Sequence, residues 1–277
     1  MVTLVNVVNQ LLTPMFDLLC WPLLALPPIV AMTVISLISG ITMVWVYGKV
    51  SDQPAIRRVR DQIRGNLIGV RLFQNDIGVV MRLQQRIFSD TMRYMRHALV
   101  PMVVLLVPVL LIMTQLNLRF SSRPVAPSEP VLVKAFVRET GALDQPIALE
   151  TAEGVTVETA GVRVAATREV TWRVRALTAG HHPMTVRVGD DTLESRLIAG
   201  DGWGPVPQRR TGRGALDTLL YPGEPPIPAA HSVEAIEVLY PELDMRVFGW
   251  TVHWLAAFLV LSIAFGFAFK NALGVEV

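Results

Sequence analysis

Apolar residues are distributed along this chain in three different rhythms. The first is continuous. Charge-free apolar runs lie between Asp17 and Lys49, between Arg96 and Arg119, and between Arg246 and Lys270. Each is long enough to cross about 30 Å of hydrocarbon, which takes roughly 20 helical residues. They predict transmembrane helices over 27–47, 98–117 and 247–269. Pro22, Pro27 and Pro28 break the first run early, and Pro101 and Pro108 predict a kink in the second, as neighbouring helices permit in a membrane. Trp250 and Trp254 form an interfacial belt at one end of the third.

The second rhythm is helical. Ser51-Asp52 followed by Pro54 is a helix start, and apolar residues then recur at Ile56, Val59, Ile63, Leu67 and Val70. Gln74-Asn75-Asp76 is a turn and a new cap. The stripe resumes at Ile77, Val80, Gln84, Ile87, Thr91 and Met95. Residues 51–96 therefore predict a coiled-coil-like hairpin with arms roughly 30 Å long, its second arm running straight into the second span.

After Arg119 the period becomes two. Segments 130–137, 146–150, 155–166, 169–177 and 183–198 read as strands, clearest where Val170, Trp172, Val174 and Ala176 alternate with Arg173 and Arg175. Gly189-Asp190-Asp191 marks a hairpin turn. Strands of this number and spacing predict a β-sandwich over 120–200, with an immunoglobulin-like form as one candidate. Six prolines and five glycines in 201–230 predict a semi-extended linker, so that 201–245 reads as linker plus a last strand at 233–240. Residues 1–20 are apolar without Lys or Arg, which excludes a signal-peptide n-region. They predict an interfacial amphipathic helix broken near Pro14.

Composition agrees with a membrane protein. Of 277 residues, 52% are hydrophobic and 17% charged, with a mean hydropathy of +0.44; soluble domains carry about 25% charged residues. A net charge of +2 argues against a strongly basic nucleic-acid binder, and the single Cys20 excludes a disulfide framework. Segment 48–96 holds ten basic residues against four aspartates, and 118–246 holds fourteen basic against seventeen acidic. The positive-inside rule therefore places the hairpin and the tail 270–277 in the cytoplasm, and the N-terminus and β-domain outside. The fold class expected is an integral membrane protein, mainly α, with three transmembrane helices, a cytoplasmic helical hairpin and an inserted extracytoplasmic β-sandwich.

Catalytic chemistry finds little support. Phosphate-loop, HExxH and GxSxG patterns are absent from the sequence. Ser36 or Ser39 with His253 would make a serine–histidine pair, but small residues such as Thr33, Ser36, Ser39 and Gly40 are ordinary at helix contacts in membranes. His181-His182 with Asp190 and Asp191 reads as a solvated turn rather than a metal site. The expectation is a protein that is not an enzyme and needs no cofactor. The hairpin arginines fit attraction to anionic membrane lipid or a docking surface for an acidic partner such as ribosomal RNA.

In order, an outer amphipathic helix, a span, a basic cytoplasmic hairpin, a second span, an outer segment and a closing span resemble the YidC-type insertase superfamily. The resemblance is to its three-span branch, which includes the insertase subunit of the endoplasmic-reticulum membrane complex. It is carried by LISGITMVWVYGKVSDQPAIRRVRDQIRGNLIGVRLFQNDIGVVMRLQQRIFSDTMRYMRHALVPMVVLLVPVLLIMTQLNLRF and by the ending WLAAFLVLSIAFGFAFKNALGVEV. It covers 1–120 and 245–277, and rests on order and hairpin more than on single residues. The resemblance implies membrane-protein insertion through a polar groove in the bacterial cytoplasmic membrane. Thr33, Ser36, Ser39 and Thr42, Thr114 and Gln115, and Ser262 would line that groove. Arg57, Arg58, Arg64, Arg71, Arg82 and Arg86 would contact clients or the ribosome. Met81, Met92 and Met95, with Met102, would offer adaptable apolar contacts. Its partners would be membrane lipid, nascent membrane proteins and the ribosome or another membrane subunit.

Two features depart from the family pattern: no predicted span contains Lys or Arg, and about 125 outer residues separate the second and third spans. They keep two other readings open. One is a membrane-anchored structural or binding subunit whose β-domain engages an outer partner. The other is a transporter subunit whose hairpin contacts a cytoplasmic ATPase.

Overall fold

Each apolar run becomes helix in the computed structural model, which describes residues 2–212, 214–247 and 249–275. Helix α1 spans Val2–Cys20, α2 Pro28–Val50, α3 Gln53–Leu72 and α4 Ile77–Phe120. Among the described residues three helices are long and apolar enough to cross a membrane: Val2–Leu23 (α1 with the 3-10 turn that follows it), Pro28–Val50 and Ile77–Phe120. The chain divides into two units, Met1–Ala31 with Leu111–Trp254, and Met32–Leu110 with Leu255–Val277.

The second unit holds most of α2, the hairpin and the last helix. Asp52 Oδ1 accepts from Ala55 N at 3.0 Å and starts α3; Asp76 Oδ1 accepts from Val79 N at 3.0 Å and starts α4. The arms meet where Asn66 Nδ2 donates to Asp90 Oδ2 at 3.3 Å and where Gly69 leaves room for Leu83, whose Cδ1 would lie 3.0 Å from a Cβ at that glycine. This close approach turns the inward row of α4 to Val80, Leu83, Ile87, Asp90 and Tyr94, all half-buried. Leu67, Ile77, Gln84 and Met95, expected in the packing stripe, are exposed instead.

The last helix is shorter than the span expected over 247–269. Helix α6 covers Trp254–Phe269, 16 residues, or about 24 Å at 1.5 Å per residue. The residues before it turn back as an antiparallel pair that we number last among the strands, Met245–Val247 and Trp250–Val252, with Gly249 at φ +88° in their tight turn. Phe248, expected within this span, lies outside the described residues, as do 276 and 277 of the tail.

The first unit is built around a two-sheet sandwich. Its strands are β1 Pro130–Val137, β2 Ile147–Thr151, β3 Val155–Val157, β4 Val162–Val164, β5 Glu169–Ala176, β6 Gly180–Val188, β7 Asp191–Ala199, β8 Arg209–Thr211 and β9 Val233–Val238, followed by the pair above as β10 and β11. One sheet runs β3-β5-β1-β9-β8 with β4 also on β5; the other runs β2-β6-β7. Alternation fixes which side is buried: Val131, Val133, Ala135 and Val137 of β1, and Val170, Trp172, Val174 and Ala176 of β5, pack against Met184, Val186 and Val188 of β6 and Leu193 and Leu197 of β7. Buried Tyr240 ties the sheets together, its hydroxyl accepting from Ile198 N at 2.9 Å, and burial pushes its pKa up.

Segment 201–230, expected as a linker, is part of this folded unit. It supplies β8 and a short helix, α5 (Ala215–Leu220), and buries Trp203, Val206 and Ile227. Its prolines explain why an extended segment tolerates burial: each removes a backbone donor that would otherwise need a partner. Its Glu224 side chain, only 7% exposed, is 3.5 Å from Arg196 and accepts from Ser195 Oγ at 2.9 Å. Burial raises the Glu224 pKa, outweighing the Ser195 hydrogen bond and the nearby arginines. A carboxyl raised in the folded state binds its proton more tightly there, so its contribution to stability is present below the ordinary glutamate value and lost as pH rises through the folded value. Relative to Glu224→Gln, the full-length protein should therefore gain thermal stability between pH 8 and pH 4.5. A constant gap between the two melting curves would refute this.

Candidate functional sites

Of the seven residues expected to line one groove, Thr33, Ser36, Ser39, Thr42 and Ser262 belong to the second unit and Thr114 and Gln115 to the first. In the second unit, α2 and α6 meet through small residues. A Cβ on Gly40 would lie 2.5 Å from the Ser262 carbonyl oxygen and 3.2 Å from Gly266 N, so the backbones touch there. Ser36 and Gly40, and Ser262 and Gly266, are each four apart and line up along their helices. Such surfaces hold helices together in lipid, where burial of apolar area supplies no drive. Beside the contact lies an apolar cavity of about 280 Å³, walled by Ser39, Met43, Val109, Phe258, Ser262 and Phe267 among others, with Lys270 also in its lining. Ser39 is buried, and Ser262 Oγ donates to Leu259 O at 3.2 Å. Ser36 is fully buried and its hydroxyl has no hydrogen-bond partner among the described residues. Thr33 is half-buried and Thr42 is exposed; neither lines the cavity.

Thr114 and Gln115 belong to the first unit and serve a different site. Thr114 Oγ1 donates within its own helix to Leu111 O at 2.9 Å. Gln115 shares a cluster with Arg119, which was expected to lie beyond the span but sits fully buried in the last turn of α4. One guanidinium nitrogen of Arg119 donates to Gln115 O at 2.9 Å and Oε1 at 2.8 Å. The other donates to Thr13 O at 3.1 Å and Asp17 Oδ1 at 2.5 Å. Gln115 Nε2 adds a bond to Thr13 Oγ1 at 3.1 Å, and the Phe16 ring lies 5.7 Å from the guanidinium carbon.

These contacts hold α1 from one side, with Asn9 Nδ2 donating to Thr218 O at 2.7 Å further along. Helix α1 is anchored before and after Pro14, and it continues through that proline rather than breaking there. Its other face exposes Leu4, Val7, Leu11, Met15 and Leu18, an unbroken apolar row suited to lipid. Next to the cluster, Phe120 stacks on Trp203 at 4.7 Å, and Trp203 Nε1 donates to Leu26 O at 3.0 Å. Residue spacing alone missed Arg119. The available signal was that Asp17 and Arg119 are lone, opposite charges, each in an otherwise uncharged apolar stretch.

On the hairpin, Arg57, Arg58, Arg64, Arg71, Arg82 and Arg86 are all exposed, as are Met81, Met92 and Met95. Arg57 also reaches the Gly274 carbonyl at 3.5 Å. The histidine pair expected in a turn lies within β6, where buried His182 bonds through Nε2 to Thr178 O at 2.8 Å. Among the described residues, no three His, Cys, Asp or Glu side chains group so as to hold a metal ion. Comparison with protein-family models, with curated proteins and with solved structures finds no match to this chain.

Proposed function

We propose that this chain is a membrane-protein insertase or chaperone that eases transmembrane segments into the bilayer. The observation that carries this reading is the make-up of the second unit. A cavity edged by the small polar residues Ser39 and Ser262 and a basic hairpin with exposed Met81, Met92 and Met95 share one set of helices. A polar group moving through hydrocarbon costs several kcal/mol. Hydroxyls beside the cavity would lower that barrier, and so would a bilayer thinned around a helix of only about 24 Å. In this reading the protein sits in a bacterial cytoplasmic membrane, the hairpin faces the ribosome or a partner subunit in the cytoplasm, and the sandwich faces outward.

Site-specific photocrosslinking tests it, with probes at Ser39 and Met92 during synthesis of short-tailed membrane proteins in native membranes. Crosslinks to nascent chains that vanish on release are expected. Crosslinks to one stable neighbour alone would sink the insertase reading.

A second reading is a membrane-anchored binding or structural subunit. The observation favouring it is the size of the first unit, in which a complete sandwich, segment 201–230 and α1 fold together. It predicts that binding of an outer partner survives replacement of the hairpin tip, residues 64–86, by a short loop.

A further inference from the structure

The cavity between α2, α4 and α6 has a size and a charge that select an occupant. An apolar cavity of about 150 Å³ accepts benzene. About 280 Å³ therefore suits roughly a dozen carbon atoms in a row or a cluster. The space has room for one hydrocarbon chain.

Its chemistry agrees. The walls are Met43, Val44, Val109, Phe258, Leu259 and Phe267 with their neighbours, and Ser39 and Ser262 are the only hydroxyl-bearing residues among them. Ser262 Oγ is already engaged with Leu259 O, so the wall asks for an apolar guest. Among the described residues of the lining, Lys270 is the single charged one. Its ammonium lies 5.1 Å above the Phe267 ring, which places a cation at the end of α6. An apolar slot with one cation in its lining matches an amphiphile with a single hydrocarbon chain inserted and an anionic head outside.

We infer that this cavity is a binding site for one acyl chain of an anionic phospholipid, whose phosphate pairs with Lys270. The site does not depend on the insertase reading. If that reading holds, a passing client displaces this lipid from beside Ser39.

The test is native mass spectrometry of the full-length protein, released from nanodiscs containing equal amounts of phosphatidylglycerol and phosphatidylcholine. Phosphatidylglycerol should be retained over phosphatidylcholine by at least about fivefold, the worth of one basic residue near a charged headgroup. Lys270→Gln should abolish that preference while some lipid stays bound. Val109→Trp, which fills the slot from α4, should remove bound lipid of both kinds. Thermal melts identify variants that remain folded. Equal retention of the two lipids by the unaltered protein would overturn the proposal. So would undiminished phosphatidylglycerol binding by folded Lys270→Gln or folded Val109→Trp, or a co-purifying peptide in place of lipid.

Discussion

Replacement of Arg119 by Met should destabilise the first unit by about 3 kcal/mol, because it removes four donated bonds at once. The loss is not chiefly the ion pair: the Asp17 side chain is 48% exposed and regains water when the cation is gone. Gln115 is fully buried, and its carboxamide oxygen would be left without its donor. Arg119→Lys should recover less than half of the loss, since one ammonium cannot reach Gln115 O, Gln115 Oε1, Thr13 O and Asp17 together from a single point. Asp17→Asn, which keeps an acceptor for the guanidinium, should cost only about 1 kcal/mol. Thermal unfolding of the four proteins in one detergent measures all of this. If Arg119→Met melts with the unaltered protein, the cluster does not hold α1 in place.

Gly40→Ala carries the second large effect, and its sign is informative. In a helix interior alanine is better than glycine by about 1 kcal/mol, so propensity alone expects a gain. The added methyl, however, would sit 2.5 Å from the Ser262 carbonyl oxygen, and that oxygen is backbone and cannot swing aside. Helices α2 and α6 must separate, and the loss of close packing should cost about 2–3 kcal/mol net. Thr42→Ala, on the exposed side of the same helix, is the matched control and should change stability by less than about 0.5 kcal/mol. A melting temperature for Gly40→Ala at or above that of the unaltered protein would show that the helices meet elsewhere.

How far the sequence could be read depended on how local each cause was. Helix starts at Asp52 and Asp76 are set by bonds three residues long, and alternation along Glu169–Ala176 already names the buried face of β5. Features caused by distant partners were not legible. Asp17 and Arg119 are 102 residues apart, and although each stands out as a lone charge in an apolar stretch, no local pattern pairs them. Segment 201–230 looks like a linker because proline and glycine content reports local stiffness, whereas Trp203 and Ile227 are buried by residues far along the chain. The third span was read too long because Val247, Trp250 and Val252 are as apolar as the helix they precede, and an apolar window does not register the reversal at Gly249. For the candidate site, the hydroxyls of Ser36, Ser39 and Ser262 were legible as small polar residues in apolar helices. Gly40 was legible with them as a small residue of a helix contact; Gly266 across from it was not, because a glycine shows its role only once the backbone it admits is known.

The make-up of the first unit also bears on how it can be studied in isolation. Its boundary does not follow the ends of the sandwich. It takes in α1 and the last ten residues of α4, and it uses them to cover Trp203, Phe120 and the Arg119 cluster. A fragment cut at 121 and 245 would discard those covers and leave Trp203 without the ring it stacks on and the carbonyl it donates to. Such a fragment should come out of cells as aggregate. A tractable fragment would carry residues 2–26 and 111–254 joined across the gap, and it would still need a detergent for the apolar row of α1.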